Sequence, residues 1–578
     1  MVDAQGRTDR LDVWGRTGLA FSIGVDYGTE SGRVLVLDLT TGDEVAVHVV
    51  HYAHGVVDQT LPGRDERLPV DWALQHPADY LEVLTTGIPA VLHASGVRAQ
   101  DVIGLGIDFT SCTVLPALVD GTPLCMTEAW RSRPHAWPKL WKHHAAQRFA
   151  DRINTVASTQ QAAFLPRYGG RISSEWYFPK LLEMVAEDRE VYEATAAFVE
   201  ATDWVVWQLT GSLVRNSCTA GYKAMRDDDG TFPDVSFFTD VYPAFDDPTR
   251  VLGQAFSPVG TRAGMLTADW ANRLGLSTRV AIAVGNVDAH VSVPGAGVSS
   301  PGAFVMVIGT SICHLNVTRE RVMVPGITGV VKDGVLPGYY GYESGQAAVG
   351  DMLAWFVHQA VTQPYILEAE ASGRSVYEVL EQHAGALAVG ESGLVAIDWW
   401  NGNRSVLGDA DLSGVILGLT LGTQGHHIYR ALLESIAFGT RRILDNFGAA
   451  GITFHELVAC GGLAHKSPLL MQIYADVCGV DVTVRASQEI PARGAALFGA
   501  VAAGKQAGGF DGIEEASQAL STPTSVRYVP DSQRQAVYGQ LYPVYRTFYD
   551  YLGAQRVDLL HGLKHLRQAA SGGGIRHA

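Results

Sequence analysis

Three times along the chain, an apolar run ends in a short turn of small residues and a second apolar run follows at once. In the first, Phe21 to Val25 closes on Asp26, the turn YGTESG follows, Arg33 to Leu39 is the second run, and a Thr41-Gly42 turn leads to a third. In the second, Val102 to Asp108 is followed by FTSC, then by Thr113 to Val119 and Asp120-Gly121. In the third, Ala303 to Ile308 is followed by Gly309-Thr310-Ser311 and by Ile312 to Val317. Each reads as strand, tight turn, strand. Between them lie segments with apolar spacing of three and four, such as Trp176 to Val185 and His427 to Phe447, which predict helices. Further on, Glu456 to Ala459 reads as a strand running into Cys460-Gly461-Gly462, then come a helix (Ser467 to Cys478), a strand (Val480 to Val484) and a helix (Pro491 to Ala503). Strands alternating with helices over this length imply α/β layers. The glycine turns near Asp26 and Gly309 mark the starts of two similar lobes. The expected organisation is a polar lead-in (residues 1–19), a first lobe (20–279), a second lobe (280–556) and a tail (557–578), flexible from Ala569 onward.

Composition narrows the function. A chain of 578 residues with 47% hydrophobic and 18% charged residues has ample material for large cores. A net charge of −17 argues against a general nucleic-acid binder, which needs clustered Lys and Arg. It leaves room for a phosphorylated small molecule held by local charge or backbone N–H groups, with a divalent cation screening the phosphates. The six cysteines are scattered without CxxC spacing, so neither a disulfide framework nor a zinc site is expected. Asp3, Asp9 and Asp12 interrupt the N-terminus, and no apolar run is long enough to cross a bilayer. The expectation is a cytoplasmic protein with no membrane partner.

The first glycine turn carries chemistry. Gly28 allows close approach of backbone N–H groups to an anion, Thr29 and Ser31 add hydroxyls, and Arg33 adds charge. Asp26, at the strand end, is positioned to hold a hydrated Mg²⁺ beside phosphates. An ordinary hairpin turn uses the same residue types, so this segment alone leaves both readings open. Gly309-Thr310-Ser311 is a second such turn, and Gly461-Gly462 offers glycine backbone against which a nucleotide can lie. Neither a P-loop nor a clean GxGxxG is present.

A carboxylate also ends the apolar run before Gly285-Asn286-Val287-Asp288-Ala289-His290. Phosphoryl transfer to an alcohol needs a base for the hydroxyl proton, and Asp288 is the candidate; the competing reading is a helix N-cap.

With these motifs in this order, the chain resembles the FGGY carbohydrate kinases from about residue 20 to about residue 555. DYGTESGR is similar to that family's first phosphate loop and GNVDAH to its catalytic-aspartate motif. WYFPKLLEMV (Trp176 to Val185) resembles its first signature, with Met184 in place of the usual tryptophan, and Gly414 to Glu434 resembles the second. The resemblance implies two actin-like, ribonuclease H-like ATPase lobes with a cleft between them. It implies ATP on Asp26, Gly28, Thr29, Ser31, Arg33, Gly309, Thr310, Ser311, Gly461 and Gly462, and Mg²⁺ at Asp26 and Asp288.

Six segments resemble the branch of the family that phosphorylates ribulose: DFTSCTVLP (from Asp108), LWKHHAAQ (from Leu140), GGRISSEW (from Gly169), AGYKA (from Ala220), GYESGQAAVGD (from Gly341) and DWWNGNRS (from Asp398). By that resemblance Ser111, Lys223, Asp288 and Glu343 contact the sugar, and the reaction is transfer to the C5 hydroxyl of ribulose, L-ribulose first, in pentose breakdown. Lys223 as a surface lysine and Glu343 as the cap of a helix beginning near Ser344 are the competing readings. The pairs His143-His144 and His426-His427 point to different faces and cannot chelate one ion; both read as helical surface or packing residues. Trp399-Trp400 reads as packing. Another sugar or polyol kinase of the family (xylulose, glycerol, ribitol) and an actin- or chaperone-like ATPase with a protein partner remain as alternatives. A homodimer is the default assembly.

Overall fold

All seven residues of β1 (Phe21–Tyr27) are buried, so this strand is covered on both faces and shows no alternation. It pairs antiparallel with β2 (Ser31–Asp38), and β2 pairs antiparallel with β3 (Glu44–His51). On β3 alternate residues are exposed, as on an outer strand with one wet face. The chain then returns as β4 (Val102–Phe109), parallel to β1. The computed structural model describes residues 19–253 and 255–572; the expected lead-in lies outside the described residues except for Leu19, as do residues 573–578 of the expected tail.

The second expected hairpin does not form. β5 (Val114–Ala117) leaves β4 and pairs with β6 (Ala197–Glu200) in a two-stranded sheet of its own. The flanks of β4 are already taken, by β1 on one side and by later strands on the other. Pro116 also lacks the N–H that an inner ladder position requires. A second small sheet joins β7 (Arg215–Asn216) to β8 (Phe256–Ser257). Then β9 (Arg262–Met265), β10 (Ala281–Ala283) and β11 (Asn286–Val287) complete the first large sheet, in the order β3-β2-β1-β4-β10-β9 with β11 beside the end of β4.

The second large sheet begins at β12 (Ala303–Ile308), antiparallel to β13 (Ile312–Thr318), and adds β14 (Gly329–Lys332) and β15 (Tyr340–Gln346). A separate pair, β16 (Val395–Ile397) with β17 (Val415–Leu417), intervenes before β18 (Glu456–Cys460), β19 (Asp481–Arg485) and β20 (Thr524–Tyr528) close the order β14-β15-β13-β12-β18-β19-β20. Its inner strands β15-β13-β12-β18-β19 repeat β3-β2-β1-β4-β10: two antiparallel pairings, then two parallel ones. This is the two-lobed actin-like architecture that the sequence resemblance implies. The first sheet runs past the expected boundary at residue 280, through β10 and β11 to Val287, because the apolar run after Val280 serves as its fifth strand.

Five helices matter for the site: α1 (Tyr177–Glu187), α2 (Ser217–Lys223), α3 (Asp288–Gly295), α4 (Gly425–Ala449) and α5 (Ile490–Ala503). The last, though late in the chain, lies on the first sheet. A Cβ added at Gly24, Gly106 or Gly104 would sit 1.8, 1.9 or 2.0 Å from the carbonyl oxygens of Ala492, Ala495 and Gly499. Only glycine permits this approach. Gly106→Ala is therefore expected to destabilise the fold by about 3 kcal/mol or more, read as a thermal midpoint lowered by several degrees. An unchanged midpoint would mean that α5 can shift outward at no cost.

The expected tail is helical: α6 (Val557–Gly572) buries Leu560, and its His561 and Lys564 hold Asp409 and Asp411 at 2.9 and 2.8 Å. Leu559, Leu560, Leu563 and Leu566 carry the helical spacing there.

Candidate active site

Three strands of the first sheet end side by side, and three acidic residues gather there. The register sets Asp26 of β1 against Asp108 of β4, and Asp108 against Asn286 of β11; Asp288 follows at the first turn of α3. The carboxyl ends of parallel strands are where open α/β sheets bind ligands. Asp108 is fully enclosed, and neither of its oxygens meets an N–H or hydroxyl donor. Burial first, then the charges of Asp26 and Asp288, hold its carboxyl well above the usual range. Asp26 is also raised by burial, against the pull of Arg33 at 3.7 Å. Asp288 is pushed up to about 7 by burial and by Asp26, although its Oδ1 accepts the Ala289 N–H at 2.7 Å. The three carboxyl groups share this sheet end with Arg33 as the adjacent cation but do not close into a single three-ligand cluster; hard oxygens of this kind could hold a hydrated cation such as Mg²⁺ singly or through its waters. Asp108 was not among the sequence candidates; its signal was an acidic strand end in the second of the repeated units, at the same place as Asp26 in the first.

The first glycine turn is closed by Gly28 N–H donating to Ser31 O at 3.0 Å. Thr29 is held on both sides: its Oγ1 accepts from the Trp141 indole at 3.0 Å and its carbonyl from Gln75 Nε2 at 2.8 Å. Ser31 opens β2 and is buried, whereas Arg33 reaches both Asp26 and, at 3.3 Å, Glu489. The second turn repeats the first, with Gly309 N–H donating to Ser311 O at 2.9 Å and with Gly309 and Thr310 exposed. Gly461 stands at the end of β18, the neighbour of β12, so both glycine segments of the second lobe share one sheet end. Its φ of +94°, and an Ile308 carbonyl that a Cβ would meet at 2.4 Å, require glycine there. Gly462 is exposed beside it.

Lys223 and Glu343 meet from different lobes. Lys223 ends α2, is buried, donates to Glu343 Oε1 at 2.7 Å and lies 5.5 Å over the Trp176 ring. Glu343 sits within β15, so it caps no helix, and Lys223 is no surface lysine. The other Glu343 oxygen pairs with His290 Nε2 at 3.1 Å, two residues after Asp288 in the first turn of α3. Burial favours a neutral Glu343, but Lys223 and the His290 hydrogen bond hold its carboxyl well below the usual range. Glu343 in turn raises Lys223 against its burial, while burial keeps His290 low and neutral. Ser111 lies in the turn after β4, its Oγ enclosed and without a hydrogen-bond partner. His290 was missed from the sequence because a histidine between small apolar residues reads as packing.

The remaining expectations resolve simply. His143 is buried outside any helix and hydrogen-bonds Glu183 at 2.9 Å, while His426 and His427 open α4. Trp399 packs on Tyr549 and Trp400 on Trp355. All six cysteines are free. No described helix is long and apolar enough to cross a membrane.

Comparison with known proteins gives the same picture over nearly the whole length. The chain is 52% identical to a protein named ribulokinase from Anoxybacillus flavithermus, over 96% of this chain and 98% of that one. It is 45% identical to another of that name from Mycolicibacterium smegmatis, over 95% and 97%. Among solved structures, the fold matches a gluconate kinase from Lactobacillus acidophilus (TM-score 0.76, 17% identity, 93% of this chain and 99% of that one). It also matches a xylulose kinase from Rhodospirillum rubrum (TM-score 0.73, 22% identity, 94% and 100%). The models of the N-terminal and C-terminal domains of one family match residues 21–295, which take in the first sheet, and 304–503, which take in the second apart from β20 and the first residue of β12, and the chain belongs to the FGGY family of carbohydrate kinases.

Proposed function

We propose that this kinase transfers the γ-phosphoryl group of ATP to the C5 hydroxyl of ribulose, L-ribulose first, in the cytoplasmic breakdown of pentoses. The buried Lys223–Glu343–His290 chain beside Asp288 carries the reading. A polyhydroxylated ketose needs a charged donor and a charged acceptor fixed close together, and here each lobe contributes one. Roughly half-identical relatives named ribulokinase support the choice of substrate.

In this mechanism the ATP phosphates rest on Gly28, Thr29, Ser31, Arg33 and the turn Gly309–Ser311, with adenosine against Gly461 and Gly462. Asp26 and Asp288, with Asp108 behind them, would hold Mg²⁺, which when bound neutralises phosphate charge. Ser111, Lys223 and Glu343 orient the sugar in the cleft. Asp288 accepts the C5 hydroxyl proton as the oxygen attacks phosphorus in line. Closing of the lobes over both substrates excludes water and suppresses hydrolysis. Assembly as a homodimer belongs to the same proposal.

The direct test is ADP release with Mg·ATP and a panel of L-ribulose, D-ribulose, D-xylulose, ribitol and glycerol, with a control lacking sugar. Release dependent on ribulose is expected; preference for another polyol would move the substrate assignment, and sugar-independent release would end it. The pH profile follows from the carboxyl near 7. A base must be ionised, so kcat/KM is expected to fall about tenfold per pH unit below 7 and to level above it. A flat profile between pH 5.5 and 8 would remove Asp288 from the role.

A further inference from the structure

Lys180 lies in the middle of α1 with no solvent exposure, and among the described residues no carboxylate pairs with it. Its ammonium instead donates to three backbone carbonyls: Cys112 at 2.7 Å, Leu140 at 2.8 Å and Trp141 at 3.5 Å. An ammonium has three donors, and all are used. The acceptors come from two separate segments. One is the turn carrying Ser111, where Cys112 takes a φ of +61°. The other is Leu140-Trp141, which gives two of the carbonyls and also carries the Trp141 side chain.

That side chain leads to the phosphate side. The indole N–H of Trp141 donates to Thr29 Oγ1 at 3.0 Å. An indole nitrogen only donates, so the Thr29 hydroxyl accepts here and its own hydrogen must point elsewhere. Gln75, itself steadied by the Tyr80 hydroxyl at 2.8 Å, fixes the Thr29 carbonyl. The residue is thus clamped at both ends, with its hydroxyl hydrogen left for a phosphate oxygen.

We propose that Lys180 and Trp141 are positioning residues that tie the sugar-side turn to the first phosphate loop, and that the Trp141 indole aims the Thr29 hydroxyl at ATP. The proposal rests on the kinase reading above and concerns how its two subsites are held in register. Neither residue touches the reacting atoms.

Trp141→Phe keeps a ring and removes only the donor. The expected result is a rise of about fivefold in the KM for ATP, and the same weakening of Mg·ATP binding measured calorimetrically without sugar. The sugar KM should stay within twofold and the thermal midpoint should not move. In a Thr29→Ala background the same change should have no further effect, because the indole acts through that hydroxyl. Lys180→Met should raise both KM values; if it does not fold, the tryptophan cycle stands by itself. An unchanged ATP KM in Trp141→Phe, or an effect that adds fully to Thr29→Ala, overturns the proposal. A wild-type enzyme that binds Mg·ATP but phosphorylates no sugar would overturn the functional reading instead, and the binding measurement would still decide the role of Trp141.

Discussion

Asp288→Asn is expected to lower kcat about 10³-fold; binding of ATP measured without Mg²⁺ should stay within a few-fold of the wild type, while Mg²⁺ binding weakens with the loss of a carboxylate. The asparagine keeps the side-chain oxygen that accepts the Ala289 N–H at 2.7 Å, so the start of α3 should hold. It cannot take a proton, and a positioned general base contributes roughly 10²–10⁴ to such a reaction. The wild-type carboxyl is suited to the task because burial and Asp26 bring it to about 7, where it is both available and basic. Single-turnover kinetics at saturating ATP and sugar separate this loss from any change in binding. Turnover within tenfold of the wild type would mean that the proton leaves by another route.

The second large effect is expected at the pair joining the lobes. Lys223→Met removes the cation from a buried carboxylate, and an unpaired buried charge of this kind costs about 3–5 kcal/mol. The thermal midpoint should fall by several degrees, and ribulose binding should be lost. Glu343→Gln should also lower stability, because it leaves the buried Lys223 ammonium without its counter-charge and its single amide oxygen can serve Lys223 or His290 but not both. The double variant should be more stable than Lys223→Met alone, yet bind sugar no better. Recovery of stability without recovery of sugar binding distinguishes a pair kept for the substrate from one kept for the fold. If both recover together, the pair is structural only.

The strand-turn-strand units, the two similar lobes and both glycine turns were legible because local pattern dictates them. A run such as Phe21 to Val25, apolar on both faces, has few folded options besides a central strand. Pairing partners were not legible in the same way. The run from Val114 resembles the second arm of a hairpin, and only the crowding of β4 and the missing N–H of Pro116 send it elsewhere. The lobe boundary shifted for the same reason: whether the strand Ala281–Ala283 closes one sheet or opens the next depends on which edge is free. Site residues fell along the same line. Asp26 at a strand end, Asp288 at a helix start, and Gly309 and Gly461 in turns stand in local motifs whose residue types announce an anion or a base. Asp108, His290, Lys180 and Trp141 take their roles from neighbours more than 25 residues away in sequence, which no local pattern encodes.

The glycine-lined seat of α5 on the first sheet sets a schedule for synthesis. Ile490 leaves the ribosome 384 residues after Gly106 (490 − 106), roughly 20–80 s later at ordinary elongation speeds. Throughout that interval the face formed by Gly24, Gly104 and Gly106 has no cover of its own, and a nascent chain carrying it presents bare apolar strands to its surroundings. Production of this enzyme should therefore depend more on holding chaperones and on translation rate than its finished stability suggests. Slow codons placed between the two lobes would lengthen the period of exposure rather than help the first lobe to mature.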